Sequence, residues 1–377
     1  MTTGPVNSAI VIGAGTFGAS IAWLLARDGV AVTLVDQYEP ADPRATSGGE
    51  TRLYRCAHGA ADDYTRMARR GRELWLELAE ETGTDLLVEH GMAWFAHRAD
   101  GWEADSERVM RAAGIPVERL STTEAAKLYP SLATDDLEYV LFEPEAGAIR
   151  AAAAVRALVA AAQAHGAVLR RGRAVPDESG VRLGDERLDA DLVVWACGVW
   201  LRELFADLVS LRITRQELYF FAGGPAWAGV PAWVDYDLAA YGTGDIDGLG
   251  VKAAPDIEGP PLTPEDELPE VSADGEAVAR GYLRGRFPAL ADVPLVGGTT
   301  CRYELTADSH FLAGPHPALA GVWLVGGGSG HGFKHGPALA ERMIAAIRGE
   351  ATLPAAFRLG NRLPGRSLRT AGSNIIR

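Results

Sequence analysis

The sequence predicts an α/β (α+β) protein: a parallel sheet assembled from separated stretches of chain, joined to a second region built on a mainly antiparallel β-sheet. Residues 9–36 read strand, glycine turn, helix, strand, acid. Apolar strands running into glycine recur at 192–198 and 322–326, far along the chain. Between them lie β-rich blocks whose spacing does not suit strand–helix–strand units. With 377 residues, 47% of them hydrophobic, the chain has material for two or three domains with real cores, and two are expected. A net charge of −14 argues against nucleic acid or an anionic membrane as partner, because neutralising phosphates needs a cationic surface. Three cysteines are too few and too odd for a disulfide framework, which fits a reducing cytoplasm. Residues 1–9 lack the basic region of a secretory signal, and no apolar run approaches the roughly 20 residues needed to span a bilayer.

Each element of the N-terminal unit has a physical task. Ala9-Ile10-Val11-Ile12 is a short, fully apolar strand of the kind buried on both faces in a parallel sheet. It enters Gly13-Ala14-Gly15-Thr16-Phe17-Gly18, followed by a helix over 19–27 that ends at Asp28-Gly29, and a second strand over 30–35 that ends in Asp36. Gly13 allows the tight turn, Gly15 lets the backbone approach a pyrophosphate, and Gly18 lets helix and strand pack closely. Free N–H groups at the helix start supply an anion site, and Asp36, eighteen residues after Gly18, accepts hydrogen bonds from a ribose. The motif does not separate a flavin from a nicotinamide dinucleotide, although an acid at position 36 disfavours NADP.

Beyond Asp36 the pattern predicts a polar loop over 37–50, a segment Thr51-Arg52-Leu53-Tyr54-Arg55, and a long amphipathic helix over 62–81 with Met67, Leu74 and Leu78 on one side. Strands are expected at 89–96, 139–142 and 167–169, helices at 102–113 and 151–165, and a hairpin at 180–188. Residues 211–222, 233–236 and 249–252 read as antiparallel strands, and 293–304 as another strand region. Residues 253–277 hold eight acids, five prolines and no Lys or Arg, and read as a solvated loop without a site. The strand at 322–325 breaks at Gly326-Gly327-Gly328-Ser329-Gly330-His331-Gly332-Phe333-Lys334, a helix over 337–348 follows, and the arginine-rich tail from 358 reads as poorly ordered. Discontinuous segments 1–86, 147–210 and 308–377 are expected to form the cofactor domain, and 87–146 with 211–307 the substrate domain. Ligands then lie between them, at the C-terminal ends of the parallel strands.

At these residues the chain resembles a known family, the monomeric sarcosine oxidase and N-methyltryptophan oxidase group of D-amino-acid-oxidase-like FAD enzymes. The resemblance spans nearly the whole chain and keeps its order. It rests on 10–18 with Asp36, Thr51-Arg52-Leu53-Tyr54-Arg55, Phe142-Glu143-Pro144 with Gly147, Tyr241-Gly242, Gly250-Val251-Lys252, Thr300-Cys301-Arg302-Tyr303 and 329–334. A Cys thirty-three residues before the Lys of a Gly-His-Gly-Phe-Lys segment is its most specific feature. The resemblance implies a Rossmann-like FAD domain and FAD held covalently by a thioether from Cys301. It implies that Arg55 and Lys334 clamp a substrate carboxylate, that Lys252 promotes reaction with O₂, that Arg52 lies near the flavin ring, and that Tyr241 and Tyr303 line the substrate pocket. Thr16, Phe17, Thr51, Ala174, Cys197, Gly198, Gly328, Gly330, His331, Gly332 and Phe333 are assigned to the cofactor with them.

Read from the residues alone, several of these have plainer roles. Cys301 is a small hydrophobe, as Cys56 and Cys197 remain; Arg55 is a surface ion-pair residue and Lys252 an exposed lysine. Arg and Lys from distant segments are nevertheless suited to a carboxylate, and a buried cation stabilises anionic oxygen species. The glycine run at 326–330 is either a flexible loop or a set of N–H donors toward the pyrimidine edge of a flavin, with His331 structural within it. His58, His97, His165 and His316 read as ordinary; no His/Cys/Asp/Glu group has metal-ligand spacing, and there is no nucleophile-elbow motif. Sarcosine-oxidising members carry His, Glu and His where this chain has Gly48, Ala60 and Asp256, so the chemistry is expected on a different, bulkier amine, with Trp233 either an aromatic wall or core. The expected function is an FAD-dependent oxidase of a secondary or cyclic amino acid, with a carboxylate-bearing amine and O₂ as small-molecule partners, working as a cytoplasmic monomer. Alternatives are an imino-acid oxidase or dehydrogenase of a biosynthetic intermediate and an NAD-binding dehydrogenase.

Overall fold

The apolar run at the N-terminus is the strand Ser8–Ile12, in the middle of a six-stranded sheet of a computed structural model that describes residues 6–177 and 180–365. The sheet order is Leu312–Pro315, Val322–Gly326, Leu192–Trp195, Ser8–Ile12, Ala31–Asp36, Val168–Arg171, all parallel except the first strand, which runs antiparallel to its neighbour. Three of these strands come from the glycine-ended runs read in the sequence, so their C-terminal ends converge on one edge. Helix Thr16–Arg27 is buried over nearly its whole length because helices Ala151–Ala164 and Gly336–Ile347 pack against it. It starts at Thr16, three residues earlier than the composition suggested.

The second large sheet has eight strands in the order Leu295–Leu305, Arg212–Phe221, Val251–Pro255, Ala240–Asp245, Ala232–Asp235, Met92–Ala96, Tyr139–Glu143, Glu118–Leu120. All its pairings are antiparallel except that of Ala232–Asp235 with Met92–Ala96. Its far face is covered by helix Ala273–Arg286 and an aromatic core that includes Phe95, Tyr129, Trp233 and Phe287. A small three-stranded sheet, Thr51–Tyr54, Gly147–Arg150 and Leu87–Val88, carries the Arg52 segment.

Further details depart from the sequence reading, among them the unexpected strands Glu118–Leu120, Gly147–Arg150 and Leu312–Pro315. The strand expected over 89–96 is two strands, Leu87–Val88 and Met92–Ala96, separated at Gly91, whose φ of +84° few other residues adopt. The hairpin at 180–188 gains a third strand, Ala174–Asp177. Strand Ala240–Asp245 was not expected: its two glycines suggest a turn, but a Cβ at Gly242 would lie 2.0 Å from the Lys252 carbonyl and 2.3 Å from the Trp233 ring. The acidic stretch 253–277 is not all loop, since it contains the end of strand Val251–Pro255 and the start of helix Ala273–Arg286, capped by Ser272, whose Oγ accepts from Gly275 N at 3.1 Å. The tail from 366 onward lies outside the described residues. Among the described residues no helix is long and apolar enough to cross a membrane.

Candidate active site

A long cleft runs along the C-terminal ends of the parallel strands and on to the face of the eight-stranded sheet. One end is made of glycine turns. Gly13 takes φ +103°, and a Cβ there would lie 2.3 Å from the Ala196 carbonyl, so the turn after Ser8–Ile12 can touch the neighbouring strand end only as glycine. Gly18 is not in the cleft wall. It lies behind the turn, where a Cβ would meet the Gly13 carbonyl at 1.9 Å, which is the close helix–strand packing expected of it. Gly15, Thr16 and Phe17 line the cleft. The helix-start amides are not all free, as the motif suggested: Ser47 Oγ accepts from Thr16 N at 3.0 Å, and Asp36 Oδ2 from Ala14 N at 2.6 Å. Burial raises the proton affinity of the Asp36 carboxyl, while the Tyr38 and Ala14 amides counter it.

Ala174, Cys197 and Gly198 complete this end from the adjoining strand ends. Across from them, Gly328, Gly330, His331, Gly332 and Phe333 form the other rim, and a Cβ at Gly332 would lie 2.8 Å from Gly328 Cα. Between the rims Glu304 is buried; its Oε1 accepts from Gly328 N at 3.0 Å, and burial pushes its carboxyl up to about 7.

The other end is cationic. Arg52 donates to the carbonyls of Thr51 and Thr46, both at 2.9 Å, and its guanidinium lies 5.8 Å from the Phe333 ring. Lys252 is buried and donates to the carbonyl and Oγ1 of Thr51, both at 3.3 Å. Burial, with Arg52 nearby, lowers the Lys252 ammonium to about 8. Cys301 faces the same space, its thiol raised by burial although Arg52 and Lys252 oppose that. Tyr241 and Tyr303 stand side by side, their hydroxyls 3.5 Å apart.

Arg55 and Lys334, from opposite ends of the sequence, meet at the inner wall, both buried. Arg55 donates to the Ala57 carbonyl and to Tyr236 OH, at 3.4 Å for the latter, and its guanidinium lies 5.1 Å from the Trp94 ring. Lys334 donates to the His331 carbonyl at 2.8 Å. Burial first, and Arg55 second, hold the Lys334 ammonium well below its ordinary proton affinity.

Glu143 sets this wall. Its buried carboxylate accepts from Cys56 N at 2.7 Å, Ala57 N at 3.2 Å and Trp94 Nε1 at 2.7 Å, which fixes the chain just after Arg55. Sequence reasoning gave neither Glu143 nor Tyr236 a role, although Glu143 falls inside one of the family-like segments. Trp233 is core: it is fully buried and packs on Phe287 at 4.7 Å, on the face of the sheet away from the cleft. Of the three positions where the residue type differs, Asp256 lines the cleft, whereas Gly48 and Ala60 do not. A Cβ at Gly48 would lie 2.5 Å from the Asp42 carbonyl, so glycine there serves its own loop. Asp256 also corrects the reading of 253–277 as free of site residues. His58 is not ordinary: it is buried beside His331 and His335, a pair four residues apart whose spacing was the available signal.

The residues present fit a dinucleotide. Gly13, Gly15, Gly328, Gly330 and Gly332 line the turn end without side chains, and an extended cleft joins it to a buried cationic end. The model of the FAD dependent oxidoreductase family matches residues 8–346. The chain belongs to that family. An NAD-binding dehydrogenase is thereby set aside, and the flavin alternative left open by the N-terminal motif is the right one. Among relatives, the monomeric sarcosine oxidase of Bacillus sp. (strain B-0618) is 28% identical, over 88% of this chain and 90% of that one. The N-methyl-L-tryptophan oxidase of Salmonella arizonae is 26% identical, over 88% and 92%. Among solved structures, iminodiacetate oxidase from Chelativorans sp. BNC1 superposes with a TM-score of 0.78 at 25% identity, covering 92% of this chain and 97% of that one. The resemblance read from the motifs is therefore borne out at the level of family and fold.

Proposed function

We propose that this FAD-dependent oxidoreductase oxidises a secondary or cyclic amino acid, such as an N-methyl amino acid, to its imine, with O₂ reduced to H₂O₂, and that it works as a monomer. The observation that carries this reading is the pair of buried cations, Arg55 and Lys334, at one end of a cleft whose other end is a dinucleotide cradle. A planar carboxylate complements a guanidinium bidentately, and the ammonium adds a second charge. The names of the relatives, oxidases of sarcosine, N-methyl-L-tryptophan and iminodiacetate, support the same substrate class.

Bound FAD would supply the redox chemistry, as acceptor of a hydride equivalent from the C–H beside the amine nitrogen and donor of the electrons to O₂. The chain supplies position and charge. Arg55, oriented by Tyr236 and by the Glu143-held segment, anchors the carboxylate together with Lys334. Tyr241 and Tyr303 bound the space for the amine, and the Asp256 carboxyl group lies at its margin. Lys252, held by Thr51, keeps a positive charge where anionic oxygen species form. Cys301 would form the thioether tether, Arg52 and Thr51 would lie near the flavin ring, and Gly13 to Phe17 with Asp36 would hold the pyrophosphate and ribose. In this reading segments 1–86, 147–210 and 308–377 are the FAD domain, and 87–146 with 211–307 the substrate domain. Mixing the enzyme anaerobically with sarcosine, N-methyl aromatic amino acids, pipecolate and proline tests it. At least one should bleach the flavin absorption; bleaching by none of them defeats the carboxylate clamp.

A further inference from the structure

Three histidines meet behind the carboxylate clamp. His58 follows strand Thr51–Tyr54, while His331 and His335 precede helix Gly336–Ile347, and none of the three is more than 5% exposed. One ring nitrogen from each lies within 4.8 Å of the other two. We propose that His58, His331 and His335 form a three-imidazole site for a divalent transition-metal ion of the zinc, cobalt or copper class.

Two hydrogen bonds already orient the rings as a metal site would. His58 Nδ1 donates to the Cys56 carbonyl at 2.9 Å, which leaves Nε2 with its lone pair turned to the cluster. His331 Nε2 donates to the Ser309 carbonyl at 2.9 Å, which leaves Nδ1 with its lone pair. Ligating histidines characteristically give their second N–H to a backbone carbonyl in this manner. His335 Nε2 donates to His58 Nε2 at 3.3 Å, and metal binding would shift that proton to His335 Nδ1. Two nitrogens bound tetrahedrally at about 2.0–2.1 Å are separated by about 3.3–3.4 Å, so the pair already has the spacing of adjacent ligands.

The surroundings supply the rest. His58 stacks on Tyr64 at 5.7 Å and His331 on Phe311 at 4.9 Å, an apolar shell that excludes competing water. Burial, helped by Arg55 and Lys334, keeps His58 and His335 neutral, and neutral imidazole is the form that binds metal. Those two cations also oppose a dication. That opposition selects the ions that imidazole holds most strongly.

Cobalt titration of the full-length, chelator-treated holoenzyme tests the site without using its activity. One Co(II) per chain should bind with visible ligand-field bands to the red of the flavin absorption, and Zn(II) should displace it. His335→Phe and His58→Phe should each weaken binding on the order of 100-fold, whereas His90→Gln, at an exposed position, should leave it unchanged. No saturable uptake at millimolar cobalt, or uptake that survives both ring substitutions, overturns the proposal. Anomalous scattering from a cobalt-soaked crystal of the unaltered protein serves if the variants do not fold. Cobalt density between the three rings is expected, and its absence there overturns the site.

Discussion

Lys252 and Lys334 are both buried ammonium groups, and their neighbours give them different work. Lys252 keeps two oxygen acceptors on Thr51 and an ammonium lowered to about 8, so it is largely charged at neutral pH. Lys252→Met should slow reoxidation of reduced flavin by O₂ on the order of 100-fold, the loss typical of removing one fixed stabilising donor. Reduction by substrate should change far less, and stopped-flow measurement of each half-reaction separates them; equal slowing of both rules the role out. The wild-type reoxidation rate should also fall as pH rises through about 8, because the charge is lost there. Lys334 is pressed further down, by burial and then by Arg55. A bound carboxylate reverses that pressure, so its binding takes up a proton at Lys334. The sign follows: affinity for a simple carboxylate such as propionate is greatest below the free-enzyme proton affinity of Lys334 and declines as pH rises above it. Flavin difference spectra titrated with propionate across pH check this. The slope should vanish in Lys334→Met, and a slope that persists assigns the proton elsewhere.

Turns and short segments place these groups, and two of them make sharp predictions. Gly13 combines φ +103° with a virtual Cβ 2.3 Å from the Ala196 carbonyl, so Gly13→Ala must strain the turn or push apart the parallel strands Ser8–Ile12 and Leu192–Trp195. A loss of about 1–3 kcal/mol is expected from the dihedral alone, read as a lower denaturation midpoint of flavin-free protein. An unchanged midpoint would show that the turn relaxes. Glu143→Gln keeps the volume but turns an amide nitrogen toward donors at Cys56, Ala57 and Trp94. It should cost about 1–3 kcal/mol of stability and raise KM for the carboxylate substrate more than it lowers kcat. The contrast between these positions explains what could be read in advance. Gly13, Gly15 and Gly18 were legible because a glycine turn between strand and helix is a local constraint written in consecutive residues. Glu143, Tyr236 and the partners of His58 were not, because the contacts through which they act span 49 residues or more and exist only in the folded chain. Strand Ala240–Asp245 was hidden for a related reason: its glycines answer to Trp233 and the Lys252 carbonyl, not to a turn.

Across the whole molecule, the cleft is where remote stretches of one chain are forced together. Its walls draw on residues from Ile12 to Lys334, from both large sheets and from the small sheet carrying Arg52. Acidic groups dominate a chain of net charge −14, while Arg52, Arg55, Lys252 and Lys334 are gathered at the cleft. Gathering those cations opposes folding unless something anionic joins them, because each is desolvated and they repel one another. In the proposed reading the substrate carboxylate supplies that anion, and FAD lying along the cleft would touch both sheets, its pyrophosphate at the glycine end. The stability of the entire fold should therefore depend on FAD. Cys301→Ser, which removes the proposed tether, makes the dependence measurable: acid precipitation should release all flavin from this variant and none from the wild type. In Cys301→Ser the free energy of unfolding should rise by about 1.4 kcal/mol for each tenfold increase of free FAD above its dissociation constant. Both sheets should respond together, as a single transition seen by tryptophan fluorescence and by circular dichroism alike. A transition that splits into separate phases, with only one of them moving with FAD, would mean that the cofactor holds one sheet and leaves the other to fold on its own.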